Sequence, residues 1–249
     1  YTTLFRSTVF ADLIAMNALY RPGPIKYIPN FINRKHGTEE IIYDLPETQE
    51  YLEETYGITV YQEQVMLLSQ KLANFTKGEA DTLRKAMGKK DRPTLDKMYP
   101  KFLEGGKLNE LDETKLNKIW KDWEAFAEYA FNKSHAACYA VVSYRTAYLK
   151  AYYPAEFMAA TLNSYLGNLD KAPQYIDECK RLGIQILKPD INKSFEKFTV
   201  EVNNSEAVGK IRFGLGAIKN VGKTPVENIV AERQKNGEYK NFTDFCERI

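Results

Sequence analysis

The chain has 249 residues, 44% of them hydrophobic, and a formal net charge of +2. That is enough apolar material to bury the core of one large domain or two smaller ones, which excludes a disordered chain. No apolar run approaches the roughly 20 residues that cross a bilayer, because the richest stretch, Ala136 to Tyr153, is broken by Ser143, Arg145 and Lys150.

Near-balance overall conceals local excess. Residues 39 to 54 carry seven acidic residues and no basic one, whereas residues 84 to 101 carry seven basic residues against Asp91 and Asp96. Cys138, Cys179 and Cys246 stand far apart with no CxxC pair, so a reducing cytoplasm fits better than a disulfide framework or a zinc site. The first residue is Tyr1 and no secretion signal follows it, so a fragment of a longer cytoplasmic protein is expected.

In chain order, Arg21-Pro22-Gly23-Pro24 predicts a rigid turn, since both prolines fix φ and lack an amide hydrogen. Tyr56 to Tyr61 is a short β-branched and aromatic run that predicts a strand. A helix follows over Gln62 to Ala73, with Tyr61, Val65, Leu68 and Leu72 on one face. Ala80, Leu83 and Met87 continue at helical spacing, with Gly88 as the expected stop. Lys97 to Ala130 reads as helix broken at Gly105-Gly106, with Trp120 and Trp123 one turn apart as core anchors. Ser134 is the expected N-cap of a helix running to Pro154, in which Ala137, Val141, Tyr144 and Tyr148 share a face. Past Gly183, the runs Ile184 to Leu187, Phe198 to Val202 and Ile211 to Phe213 predict short strands. The expected fold class is therefore α+β, predominantly α-helical, with a small mixed module at the end and a boundary near residues 180 to 189.

Three segments could carry chemistry. Arg84, Lys85, Lys89 and Lys90 cluster around a helix C-terminus and a glycine, as a triphosphate or a nucleic-acid backbone would need; a solvated charged face is the alternative. Asn132, Lys133, Ser134 and His135 place an amide, a cation, a hydroxyl and an imidazole at a helix N-terminus, where orphan amides and the macrodipole attract phosphate; a capping turn with a packed histidine is the alternative. Phe213 to Pro225 reads as helix, hairpin and helix. Thr224 is its expected N-cap, Pro225 its first helical residue, and Asn220-Val221-Gly222 the segment able to take unusual φ values. Its amides at Gly216 and Gly222, flanked by Lys219 and Lys223, could grip DNA phosphate without reading sequence. No GxxxxGK[ST], HExxH, GxSxG or DxD pattern is present, so a binding region is expected rather than a self-contained catalytic site.

The segments Asn17 to Pro24, Arg34-Lys35-His36-Gly37, Tyr56 to Met66, Leu83 to Lys90, Phe131 to Ala136 and Tyr153 to Ala160 occur in one order. In that order the chain resembles the bacterial DNA polymerase III alpha subunit family, the replicative C-family DNA polymerases, over roughly residues 8 to 249. The resemblance implies a palm-to-fingers junction at 8–30, helical polymerase fingers at 31–183 and a helix-hairpin-helix module at 184–249. It implies a DNA-directed DNA polymerase whose Mg2+ is held by palm aspartates outside this chain, so that the chain alone is expected to be inactive. Arg84, Lys85, Lys89, Lys90, Lys133, Ser134 and His135 are then expected on the incoming nucleotide's phosphates. Arg21, Asn132, Gly216, Lys219, Gly222 and Lys223 are expected on DNA. Implied partners are primer-template DNA and dNTPs and, for the whole protein, the sliding clamp and other replicase subunits, with no membrane. The competing reading is a non-catalytic DNA-binding or scaffold module built on the helix-hairpin-helix.

Two departures stand out. Residues 1–7 do not resemble the family and read as a non-native, adapter-like segment. Asn220 stands where the family often has Gly, and still tolerates positive φ.

Overall fold

The computed structural model describes residues 5–127, 130–166, 169–201 and 209–249. The chain forms two compact units, residues 1–143 and 144–249. Both are predominantly helical, with one small sheet in the second, as the composition and periodicities predict. Among the described residues, no helix is long and apolar enough to cross a membrane.

The first unit opens with α1 (Phe10–Leu19) and α2 (Ile28–Lys35), which share a small core of Ala15, Leu19, Ile28, Phe31, Val60 and Tyr61. Of the expected non-native segment, residues 1–4 lie outside the described residues, while Phe5 is fully buried and its ring lies 5.4 Å from that of Phe31. Arg34 and Lys35, two of the motif residues, tie this region together. Arg34 pairs with Glu39 and donates to the Tyr56 carbonyl, while Lys35 pairs with the buried Asp12.

The main core lies among α3 (Gln49–Leu52), α4 (Gln62–Ala73), α5 (Lys77–Lys89), α6 (Arg92–Leu108) and α7 (Glu113–Phe126). Tyr61, Val65, Leu68 and Leu72 are buried, as their spacing predicts. The expected strand before α4 is reduced to one bridge, Tyr61 to Phe131. Tyr56 and Gly57 both take positive φ, and the amides of Val60 and Tyr61, which a neighbouring strand would engage, donate to the Gln64 side chain. Gln64 in turn donates to the Tyr51 carbonyl and the Thr55 hydroxyl, so one buried amide side chain organises the whole turn.

A reciprocal capping box opens α5, with Thr76 accepting from the Glu79 amide and Glu79 accepting from the Thr76 amide. Gly88 does not stop the helix. Lys90 does, in the left-handed conformation at φ 55°, where the Asp91 amide returns to the Ala86 carbonyl. Nor do Gly105 and Gly106 break α6. A Cβ on Gly105 would overlap the Ala73 carbonyl and one on Gly106 the Leu116 side chain, so the pair lets α6 approach α4 and α7 closely. Trp120 and Trp123 are buried, each within 5.3 Å of the Phe102 ring by centroid.

The 20-residue α8 (Lys133–Tyr152) carries the division between the units. Ala136 and Ala140 are its buried positions, whereas Tyr144 and Tyr148 are 57% and 45% exposed. In the second unit, α9 (Pro154–Ser164) and α10 (Ala172–Arg181) pack on a three-stranded sheet of β1 (Ile186–Leu187), β2 (Thr199–Glu201) and β3 (Lys210–Arg212), in the order β1-β3-β2. β1 runs parallel to β3, with Ile186 opposite Ile211; β2 runs antiparallel, with Val200 opposite Ile211. Val202, the last residue of the second expected strand, lies outside the described residues. Residues on both sides of the boundary expected at 183/184 share one core, for Met158, Leu162 and Cys179 pack with Ile184, Phe198 and Ile211. Beyond the sheet, α11 (Lys223–Asn236) and α12 (Phe242–Arg248) enclose Leu215, Val226, Ile229 and Tyr239 with Phe245.

Candidate functional site

The first candidate surface is the start of α8. Asn132, not the expected Ser134, caps this helix. Its Oδ1 accepts from the His135 amide at 2.8 Å, one residue type and reach that suits an N-cap. Its Nδ2 donates to Glu63 Oε1 at 2.7 Å, and the Lys133 amide donates to Glu63 Oε2 at 2.9 Å. Thus a protein carboxylate already sits on the helix start. The Lys133 ammonium pairs with Glu54 at 2.5 Å and lies over the Tyr61 ring. Beside it is a cleft of about 520 Å³ whose lining includes Glu50, Glu53, Glu54 and Glu63. Ser134 and His135 are exposed. Arg21 and His135 both contact Phe131, the guanidinium 4.2 Å from the ring centroid and the imidazole at 5.3 Å, and His135 continues to Tyr139 at 4.8 Å. The structure therefore gathers Arg21, Asn132, Lys133 and His135 around one helix start.

The second is the C-terminal half of α5. Arg84 and Lys85 both bind Asp81, at 2.8 and 2.7 Å, so the two cations converge on one carboxylate. Lys85 and then Arg84 hold the Asp81 carboxyl below its ordinary value. Lys89 ends α5 and Lys90 forms the left-handed cap. Among the described residues, no hydrogen bond, ion pair or ring contact links Arg84, Lys85 or Lys89 to the α8 start.

The third is the hairpin before α11. Its first helix is a single 3-10 turn, Leu215–Ala217, because Ile218 immediately returns to extended backbone. Asn220 takes φ 68°, the value its side chain tolerates. Gly222, extended at φ −73° and ψ 160°, caps α11, so the helix starts ahead of the expected cap Thr224, and Pro225 is its third residue rather than its first. Lys219, Gly222, Lys223 and Thr224 are exposed, with Lys223 3.6 Å from Glu227. The Gly216 amide is engaged inside the protein, donating to the Glu196 carbonyl at 3.0 Å.

Sequence reasoning missed the carboxylates that hold the cations. Asp81 was legible as the i−3 and i−4 neighbour of Arg84 and Lys85. Glu54 and Glu63, 79 and 70 residues from Lys133, left no local signal. Among the described residues, no group of three or more His, Cys, Asp or Glu side chains comes together to hold a metal ion, so these residues do not fit a divalent-cation site.

Residues 3–110 match the family model of the bacterial DNA polymerase III alpha subunit finger domain, and residues 183–249 match a helix-hairpin-helix motif. The chain is 49% identical over 240 residues to the DNA polymerase III subunit alpha of Xylella fastidiosa, covering 96% of this chain and 20% of the relative. It is 47% identical over 238 residues to that of Borreliella burgdorferi, again 96% and 20%, and 48% identical over 244 residues to that of Chlamydia trachomatis, 98% and 19%. The chain spans about a fifth of the length of the curated relatives it matches.

Proposed function

We propose, for a chain that belongs to the finger and helix-hairpin-helix region of the bacterial DNA polymerase III alpha subunit family, that it serves template-directed DNA synthesis by holding the incoming nucleotide and the primer-template. The observation that carries this reading is near-half identity to named polymerase subunits over 96% of the chain. In this reading Ser134 and His135, exposed at the α8 start, meet phosphate, with Lys133 beside them, and Arg84, Lys85, Lys89 and Lys90 supply a second cationic element. Arg21, stacked on Phe131, and Asn132 lie toward DNA.

The hairpin grips a DNA phosphate through the exposed Lys219 and Lys223 and the Gly222 amide at the start of α11. Gly216 serves indirectly, since its amide is bound to Glu196 and its lack of a side chain lets the turn sit against the Glu196 backbone. Magnesium would be held by palm aspartates of the whole protein, outside this chain, and would supply charge stabilisation to nucleotidyl transfer there. This chain alone is then inactive in primer extension. The whole protein works in the cytoplasm with a sliding clamp and other replicase subunits.

The test is primer-template binding as a function of salt, with the chain and with Lys219→Glu/Lys223→Glu. The parent should bind without sequence preference and with a steep salt dependence, and the double variant should lose affinity and flatten the slope by about 2. Binding that is absent, or indifferent to salt, would sink the reading.

A further inference from the structure

We infer that Glu63 is a positioning residue for the nucleotide subsite at the α8 start, an inference that rests on the reading just given. Glu63 lies in the first turn of α4, yet its carboxylate is turned onto a helix 70 residues further along. The two elements are pinned together by the Tyr61–Phe131 bridge, in which the Gln62 amide donates to the Phe131 carbonyl at 2.9 Å. Each carboxylate oxygen then takes one donor, Asn132 Nδ2 on Oε1 and the Lys133 amide on Oε2.

The consequence is chemical. An ionised carboxylate only accepts, so the Asn132 amide must turn its NH2 toward Glu63 and its carbonyl oxygen toward the His135 amide. That orientation is what caps α8 and fixes the first turn bearing Ser134 and His135. Glu63 also occupies the Lys133 amide, while Glu54 holds the Lys133 ammonium on the acidic side of the helix. Phosphate therefore approaches by way of Ser134 and His135, both exposed, in a geometry that Glu63 sets from behind. A glutamine at this position keeps the shape but offers one acceptor oxygen to two donors, so the amide of Asn132 loses its single orientation.

The experiment is steady-state primer extension by the full-length subunit carrying Glu63→Gln or His135→Ala, with melting temperature measured alongside. Glu63→Gln should raise the nucleotide KM about tenfold with kcat unchanged, while the melting temperature falls only by the loss of one helix-cap interaction. A raised KM for His135→Ala together with an unchanged or lowered KM for Glu63→Gln would overturn the positioning role and leave the subsite standing. Unchanged KM in both would remove the subsite, and this inference with it. Should Glu63→Gln lack a melting transition, Glu63→Asp, which keeps the charge but withdraws it by one methylene, must show the same KM rise.

Discussion

Lys35 donates to the carboxylate of Asp12 in the interior of the first unit, where the two side chains are 5% and 0% exposed. Burial pushes the Asp12 carboxyl up. Hydrogen bonds from Lys35, from the Thr8 and Val9 amides and from Tyr56 outweigh it and leave the group below its ordinary value of 3.8. A carboxyl depressed in the folded state contributes stability that is full above its unfolded value and is lost as pH falls through the folded one. Urea midpoints should therefore hold steady above about pH 5 and fall below about pH 4. Lys35→Met strands the buried Asp12 charge and should cost about 3–5 kcal/mol, so a variant as stable as the parent would contradict the pairing.

Two helical glycines should respond oppositely to alanine. Gly105→Ala drives a methyl into the Ala73 carbonyl and should destabilise by about 1–3 kcal/mol. Gly88→Ala meets nothing within 4 Å and lies inside α5, so it should stabilise by up to about 1 kcal/mol. Thermal denaturation of the pair reads the sign directly.

Asp81 holds Arg84 and Lys85, so its removal should release both. Asp81→Asn in the full-length subunit is expected to lower the nucleotide KM, because both cations are freed for the triphosphate. Charge reversal at Arg84 and Lys85 should weaken nucleotide use. An Asp81→Asn nucleotide KM equal to the parent's would assign these cations to α5 alone.

Arg233 is 7% exposed and donates to the carbonyls of Ile191 and Ser194, with its guanidinium 5.1 Å from the Phe195 ring centroid. Arg233→Ala leaves both carbonyls without a donor and should cost about 2–4 kcal/mol in chemical denaturation. Arg233→Lys can reach one carbonyl at a time and should recover part of that loss.

The buried faces were legible wherever periodicity reports burial. Tyr61, Val65, Leu68 and Leu72 repeat every turn and pack as that spacing demands. The helix ends were less so: Gly88, Gly105 and Gly106 all read as stops, yet none ends a helix, since Gly88 sits in open space inside α5 and Gly105 and Gly106 admit Ala73 and Leu116. Tyr56 to Tyr61 has strand propensity, but the amides of Tyr56, Gly57, Ile58, Val60 and Tyr61 are already engaged locally, the last two by Gln64 from within the next helix. At the α8 start, the residue types announced an anion site. That the anion present is Glu63 depends on chain topology, which a local pattern does not encode.

Trp120 and Trp123 pack 6.3 Å apart by ring centroid, and they are the two tryptophans of the chain, both before residue 143. Indole emission is thus a built-in reporter for the first unit, while tyrosine absorbance and backbone ellipticity sample both. Denaturation followed by these signals together tells whether the halves melt as one: superimposed curves mark a single cooperative transition, and separated ones mark two.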